Sequence, residues 1–106
     1  MKVHFDQGTP VPLRKSLGEH SVETAYERGW QQLENGALIA AAQSAGFELL
    51  ITTDQNLRYQ KNLDGREIAI LVLKSTSWPR LRAHLDVIVS LVEQASPGTY
   101  REVPIP

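Results

Sequence analysis

The chain has 106 residues, of which 42% are hydrophobic and 22% are charged, and this composition is typical of a soluble globular domain rather than a disordered or fibrous chain. Eleven basic and twelve acidic side chains give a formal charge of -1, so no global field attracts nucleic acid and any RNA binding needs a local patch. The absence of cysteine excludes disulfides, thiolate catalysis and cysteine-based zinc sites. The length predicts a single domain, residues 1–106.

The first half of the chain predicts two strands and two helices. Thr9 is a suitable N-cap for the first helix because Pro10 follows it, and proline is favoured at the first helical position. The second helix carries apolar residues at spacings of three and four, which place them on one face toward a sheet. In chain order, the predicted elements are a strand Lys2–Phe5, a helix Pro10–Leu17, an edge strand His20–Thr24 and a helix from Asn35 to Gly46.

The second half predicts two buried strands, one long helix and an extended tail. The two strands are short continuous apolar runs, which is the pattern of central parallel strands covered on both faces. The helix carries an apolar stripe, and Ser77 or Trp78 leads into the proline at its start. The predicted elements are strands Phe47–Thr53 and Ile68–Leu73, a polar connection Gln55–Arg66, a helix Pro79–Ala95, and a tail 97–106 that either forms an edge strand near Thr99–Val103 or is only extended.

Strands that alternate with helices in this way predict a three-layer α/β domain with a mainly parallel sheet of four to five strands. In such sheets ligands bind outside the carboxyl ends of the strands. Asp6 and Asp54 each follow a predicted strand, so we expect their carboxylates to converge at this edge. No apolar run approaches the roughly 20 residues of a membrane helix, and we therefore expect a cytoplasmic protein without membrane contact.

Two carboxylates at one strand edge repel each other unless a cation neutralises them. Oxygen ligands of this kind suit Mg²⁺ or Mn²⁺, which keep several waters and bridge to phosphate. The pair therefore predicts a site for phosphodiester hydrolysis, with a metal that is either weakly held or absent. The alternative is that Asp6 and Asp54 only cap turns and helices, as aspartate commonly does after a strand.

The residues around both aspartates resemble a known family. The opening V-H-F-D-Q-G-T-P is similar to the L-L-D-E-N-x-P start of short PIN-like domains, and G-F-E-L-L-I-T-T-D-Q-N-L resembles that family's apolar strand followed by Thr-x-Asp. The segment W-x-x-L-x-N-G-A-L-I-A-A-A looks like the part of the family that carries acidic residues at a helix start. The resemblance implies a Rossmann-like PIN fold, a divalent metal held by acidic residues, and RNA cleavage by a toxin that a small antitoxin neutralises.

The resemblance also assigns roles to residues of this chain. Asp6 and Asp54 hold the metal, Glu34 or Asn35 completes the shell, Asn56 orients water or substrate, and Thr53 positions Asp54. Asn35 stands where the family has an aspartate, and Ala37 stands where a glutamate is expected. Basic side chains near the second aspartate are candidates for RNA contact: Arg58, Lys61 and Arg66.

Three functions follow from these patterns. The first is a Mg²⁺-dependent ribonuclease that acts on single-stranded RNA as the toxin of a toxin–antitoxin pair. The second is a catalytically weak or inactive PIN-like module that binds RNA or a protein partner, which the missing acidic position favours. The third is an interaction subunit in which Trp30, Trp78 and the proline-rich tail form a homodimer or antitoxin interface.

Overall fold

The computed structural model describes residues 1–33, 35–55 and 67–106, with the backbone alone at Asn35. Strands and helices alternate along these segments. The strands are β1 Lys2–Phe5, β2 Ser21–Thr24, β3 Leu49–Thr52, β4 Ala69–Leu73 and β5 Tyr100–Val103. The helices are a 3₁₀ helix Val11–Leu17, α1 Ala25–Arg28, α2 Asn35–Ser44, α3 Trp78–Arg82 and α4 Leu85–Glu93.

All five strands form one parallel sheet in the order β2-β1-β3-β4-β5. Val3 pairs with Val22 on one side and with Leu49 on the other, which places β1 next to β3. From β1 the chain first moves outward to β2 and later returns to continue on the opposite side as β3. The strand order therefore reverses between β1 and β3, and in sheets of this kind the ligand crevice opens at such a reversal.

Helices cover both faces of the sheet, so the predicted three-layer α/β fold is confirmed. Strand β4 is buried along its whole length, and its side chains alternate between two cores. Ile70 and Val72 face the core under α2, together with Leu38, Ile39 and Ala42. Leu71 and Leu73 face the other core, which contains further fully buried side chains from the 3₁₀ helix, α3 and α4: Leu13, Leu17, Leu81, Ile88 and Val92.

The predicted first helix forms, but not with the predicted cap. It is a 3₁₀ helix whose N-cap is Pro10, and no side chain caps it. The Thr9 hydroxyl instead donates to the Ile51 carbonyl oxygen at 3.0 Å, and Thr9 is buried. The prediction of Thr9 as N-cap was therefore wrong, because its hydroxyl donates instead to a buried carbonyl oxygen on strand β3.

A short helix that we did not predict follows β2. Thr24 and Glu27 form a capping box around α1, in which the Thr24 hydroxyl accepts from the Glu27 amide and the Glu27 carboxylate accepts from the Thr24 amide. The Arg14 guanidinium also pairs with Glu27. Gly29 ends the helix in the left-handed conformation, at φ +72, where glycine has no steric penalty. The sequence does carry a signal for this helix, namely a Thr-x-x-Glu capping-box pattern shortly before a glycine.

The predicted long helix Pro79–Ala95 is two helices. Ser77, which the sequence placed at the approach to this helix, caps α3, since its hydroxyl accepts from the Arg80 amide. The helix then ends at Ala83, and α4 begins after His84, whose ψ of 25 leaves the helical range. Apolar spacing did not reveal this break, because residues of α3 and α4 pack into the same core on both sides of it.

The other predicted strands and the helix from Asn35 agree with the structure to within a few residues at each end, and the predicted connection Gln55–Arg66 lies outside the described residues beyond Gln55. The tail forms β5 at the edge of the sheet, as predicted, and β2 lies at the opposite edge. Within the described residues, the structure contains no helix with the length and hydropathy needed to cross a bilayer.

Candidate functional site

A cavity of about 360 Å³ opens at the carboxyl edge of β1 and β3, where the strand order reverses. Both predicted aspartates line it, so the predicted convergence of these two residues is observed. The other lining residues come from the turn after β1, from the residue before Asp54 and from the segment between α1 and α2: Gln7, Gly8, Gln31, Leu33 and Thr53. Among the described residues of this lining, Asp6 and Asp54 carry the charge.

Hydrogen bonds fix the Asp6 carboxylate on both of its oxygens. The Gln7 amide donates to Oδ1 at 2.7 Å, and the Thr52 hydroxyl donates to Oδ2 at 2.8 Å. The main chain is held as well, because the Asp6 amide donates to the Ile51 carbonyl at 3.0 Å and the Thr9 amide donates to the Asp6 carbonyl at 2.9 Å. Each carboxylate oxygen keeps a further lone pair for another partner.

Thr52 connects the two aspartates. Its Oγ1 accepts from the Asp54 amide at 3.1 Å and donates to Asp6 Oδ2 at 2.8 Å. Because the N–H group occupies an acceptor position of this hydroxyl, the hydroxyl proton is available for the carboxylate. Thr52 is 1% exposed, so these bonds are shielded from water and stronger than exposed ones.

The sequence pointed to the wrong threonine of the pair as the residue that positions Asp54. Thr53 lies on the cavity wall beside Gly8, where a Cβ added to Gly8 would come within 2.4 Å of the Thr53 hydroxyl. Side chains alternate along a strand, so adjacent threonines face opposite ways. Which of them faces Asp6 depends on the register between β1 and β3.

The donor set fits a divalent cation of the Mg²⁺ type. Such an ion is usually held by one or two carboxylates, several waters and substrate phosphates, and the cavity offers two carboxylates together with neutral amide and hydroxyl oxygens. Within residues 1–33, 35–55 and 67–106, no group of three or more histidine, aspartate or glutamate side chains is placed to hold a metal. The cavity therefore suits an ion that keeps much of its hydration shell.

No family model matches this chain, and no curated protein or solved structure is significantly similar to it. The resemblance to PIN-like domains consequently stays a prediction from the motifs around Asp6 and Asp54. The fold and the geometry of the cavity carry the argument that follows.

Several predicted site residues lie outside the described part of the chain. They are Glu34, Asn56, Arg58, Lys61 and Arg66, together with the side chain of Asn35. The backbone of Asn35 begins α2. The predicted completion of the metal shell and the predicted RNA contacts therefore remain predictions.

The sequence analysis gave no site role to five residues that the structure places there: Gln7, Gly8, Gln31, Leu33 and Thr52. Thr52 stands in the Thr-x-Asp pattern, so its motif was visible but its hydrogen-bond partner was not. Gln31 and Leu33 stand in the W-x-x-L-x-N segment, where the resemblance concerned acidic residues and gave these two no role. Only the position of this segment relative to β1 and β3 brings them to the cavity.

Directly before the site, His4 is fully buried in an aromatic cluster. Its ring lies 5.1 Å from Trp30 and 5.0 Å from Phe47, measured between centroids. Neither ring nitrogen has a hydrogen-bond partner in the described part of the chain. Burial lowers the pKa of His4 below its ordinary value and Arg28 lowers it further, whereas Asp6 and Glu23 act in the opposite direction.

This burial predicts that acid destabilises the fold through His4. The unfolded chain binds a proton near the ordinary pKa of 6.5, whereas the folded chain resists it, so stability is full above that value and falls as the pH drops below it. Between about pH 7.5 and pH 5.5, one such group accounts for at most about 1.4 kcal/mol of unfolding free energy.

Urea unfolding of the wild type and of His4→Phe at both pH values measures this contribution. The difference between the two proteins isolates His4, because His20 and His84 are present in both. We expect a smaller acid loss in the variant. An equal loss in both proteins would mean that His4 takes up its proton without cost in the folded state.

Proposed function

We propose that this chain is a Mg²⁺- or Mn²⁺-dependent ribonuclease of the PIN-like type that cleaves single-stranded RNA. The observation that supports the proposal most directly is the bridge of Thr52 between Asp6 and Asp54 in one cavity. The Thr52 hydroxyl orients the Asp6 carboxylate and holds the main chain of Asp54, so both aspartates stay at the strand-order reversal. Two acidic side chains that line one cavity can bind a hydrated cation and, through it, a phosphate.

In this proposal, the chain's own residues hold the cation and orient the carboxylates that bind it. Asp6 and Asp54 would hold the cation, and Thr52 orients the Asp6 carboxylate by donating a hydrogen bond to it. The chemistry that Mg²⁺ supplies when bound is activation of water and neutralisation of charge on the phosphoryl group. The Gln7 amide, which donates to the other oxygen of Asp6, limits rotation of that carboxylate.

Asp54→Asn is the decisive variant, because it removes one of the two negative charges that line the cavity. We expect Mg²⁺ affinity and the cleavage of a mixed single-stranded RNA pool to fall by more than about 100-fold, a larger effect than the 10- to 100-fold typical of outer-shell partners. Calorimetry measures the first quantity, and gel analysis of the RNA pool measures the second.

Asp86→Asn is the matched control. It makes the same chemical change at an exposed position in the first turn of α4, away from the cavity lining. We expect wild-type metal binding and cleavage from it. If the wild type neither binds Mg²⁺ or Mn²⁺ nor cleaves RNA, the nuclease proposal is wrong.

A toxin role is the biological part of the proposal, and it rests on the resemblance to PIN-like toxins. If it is correct, expression of the wild type stops growth, expression of Asp6→Asn does not, and a small antitoxin restores growth by binding the active protein. If expression of Asp6→Asn still stops growth, the growth arrest does not depend on the acidic site.

The second candidate is a module that binds RNA or a protein partner without efficient cleavage. It is supported by the number of acidic side chains, since no group of three or more lies together in the part of the chain that the structure describes. RNA binding by the wild type that persists in Asp54→Asn, with no cleavage by either protein, would favour this candidate over the nuclease.

A further inference from the structure

The cavity has a second wall that the metal chemistry does not use. Gln31 and Leu33 line it from the segment between α1 and α2, whereas the carboxylates come from the ends of β1 and β3. One wall is therefore anionic, and the other combines a neutral carboxamide with an apolar side chain. A volume of about 360 Å³ exceeds what a hydrated cation alone requires, and it falls in the range of pockets that hold small organic groups.

The segment that carries Gln31 is anchored in the fold. The Trp30 amide donates to the Ala25 carbonyl at 2.9 Å, and the Leu33 amide donates to the Trp30 carbonyl at 3.0 Å. The Trp30 ring packs on His4 and Phe47 at centroid distances of 5.1 Å and 6.0 Å. This anchoring fixes the backbone on both sides of Gln31 before any ligand arrives, which reduces the entropy lost on binding.

The Gln31 carboxamide is available for a ligand. The side chain is half-buried at the cavity, and its amide makes no hydrogen bond to any residue that the structure describes. A carboxamide offers one acceptor and two donors in a plane, so it matches the edge of a nucleobase. Leu33 supplies an apolar contact for the face of the same base.

We propose that Gln31 is a specificity-determining residue that selects the base next to the bound phosphate and favours adenine. A glutamine amide pairs with the adenine N6 and N7 atoms through two hydrogen bonds, which is the usual match for this side chain. The inference rests on the proposed function, since it requires a phosphate at Asp6 and Asp54. It assigns to the α1–α2 segment a role in substrate choice that is independent of the chemical step.

The test uses short single-stranded RNA oligonucleotides in which every ribose is 2′-O-methylated, so that binding is measured without cleavage. Four oligonucleotides contain A, G, C or U at one central position in an otherwise constant sequence. Fluorescence anisotropy in the presence of Mg²⁺ gives the four affinities. We expect the wild type to bind the adenine oligonucleotide about tenfold more tightly than the others, the discrimination typical of one bidentate pair.

Gln31→Leu removes the amide at similar size, and we expect it to bind all four oligonucleotides within about twofold of one another, since its apolar side chain pairs with no base. Gln31→Glu is a second variant, because a carboxylate only accepts and cannot donate to adenine N7; it should also lose the preference. Gln32→Leu is the matched control, since Gln32 is exposed and does not line the cavity, and it should retain the wild-type preference.

The outcomes separate this inference from the nuclease proposal. A preference that depends on Gln31, in a protein that does not cleave unmodified RNA, supports the inference and contradicts the nuclease function. Cleavage without a base preference, or with a preference that survives Gln31→Leu, overturns the inference and leaves the nuclease function in place. Loss of Mg²⁺ affinity in Gln31→Leu would identify Gln31 as a cation ligand and also overturn the inference, as would the absence of oligonucleotide binding by the wild type.

Discussion

Thr52→Val is expected to lower both Mg²⁺ affinity and RNA cleavage by about 10- to 100-fold, the range found when partners that orient metal ligands are removed. Valine has nearly the shape of threonine, but it cannot donate to Asp6 Oδ2 or accept from the Asp54 amide. The Asp6 carboxylate then loses one of its two fixed hydrogen bonds, and the part-buried Asp54 N–H loses the Thr52 hydroxyl as acceptor. Calorimetry with Mg²⁺ and cleavage of the RNA pool are the measurements.

Thr9→Val separates this effect from a general loss of stability. It also removes a buried threonine hydroxyl, which in this case bonds to the Ile51 carbonyl rather than to either aspartate. We expect Thr9→Val to lose about 0.5–1.5 kcal/mol of unfolding free energy, the net value of one hydrogen bond, because the Ile51 carbonyl still accepts from the Asp6 amide. Thr52→Val should lose about 1–3 kcal/mol, and only Thr52→Val should lose most of its metal affinity. Wild-type Mg²⁺ affinity in Thr52→Val would show that the bridge does not orient the site.

Ile70→Ala is expected to lower the unfolding free energy by about 2–5 kcal/mol, as large-to-small changes in a packed core do. Ile70 is 1% exposed on β4 and packs beneath α2 in the smaller of the two cores. Since domains of this size are stable by about 5–15 kcal/mol, this single change removes a large part of the total. Urea unfolding followed by circular dichroism measures it.

Val87→Ala is the control for this prediction. Val87 is 51% exposed on α4, so its truncation leaves no buried cavity, and we expect a change within about 0.5 kcal/mol. A loss below about 1 kcal/mol in Ile70→Ala would mean that the α2 side of the sheet closes over the missing atoms, and would contradict the packing described here.

The parts of the fold that the sequence predicted well are those with local causes. Continuous apolar runs became the central strands β3 and β4, because a strand covered on both faces is apolar along most of its length. Gly46, at φ +86, follows the end of α2 as the sequence indicated. Ser77 before Trp78-Pro79 marked the start of α3. Each of these signals lies within a few residues of the element that it specifies.

The errors arose where the partner of a residue is distant in the chain. Thr9 is a residue type that commonly caps helices, but its hydroxyl donates a hydrogen bond to the carbonyl of Ile51, which is 42 residues away. The long helix was predicted as continuous because apolar spacing does not record the dihedral angles of His84. The short helix α1 was overlooked although its capping box is local, since its four residues carry no apolar periodicity.

By itself, the sequence determined the α/β class, the strands and the two aspartates that end β1 and follow β3. These features depend on hydrophobic pattern and on the carboxyl-edge rule, and both can be read along the chain. Only the tertiary structure decided that β1 lies beside β3, that Thr52 rather than Thr53 joins the aspartates, and that Gln31 reaches their cavity. The reason is physical: strand order and register are set by which distant surfaces bury each other, and a one-residue shift of register would turn the other threonine toward Asp6.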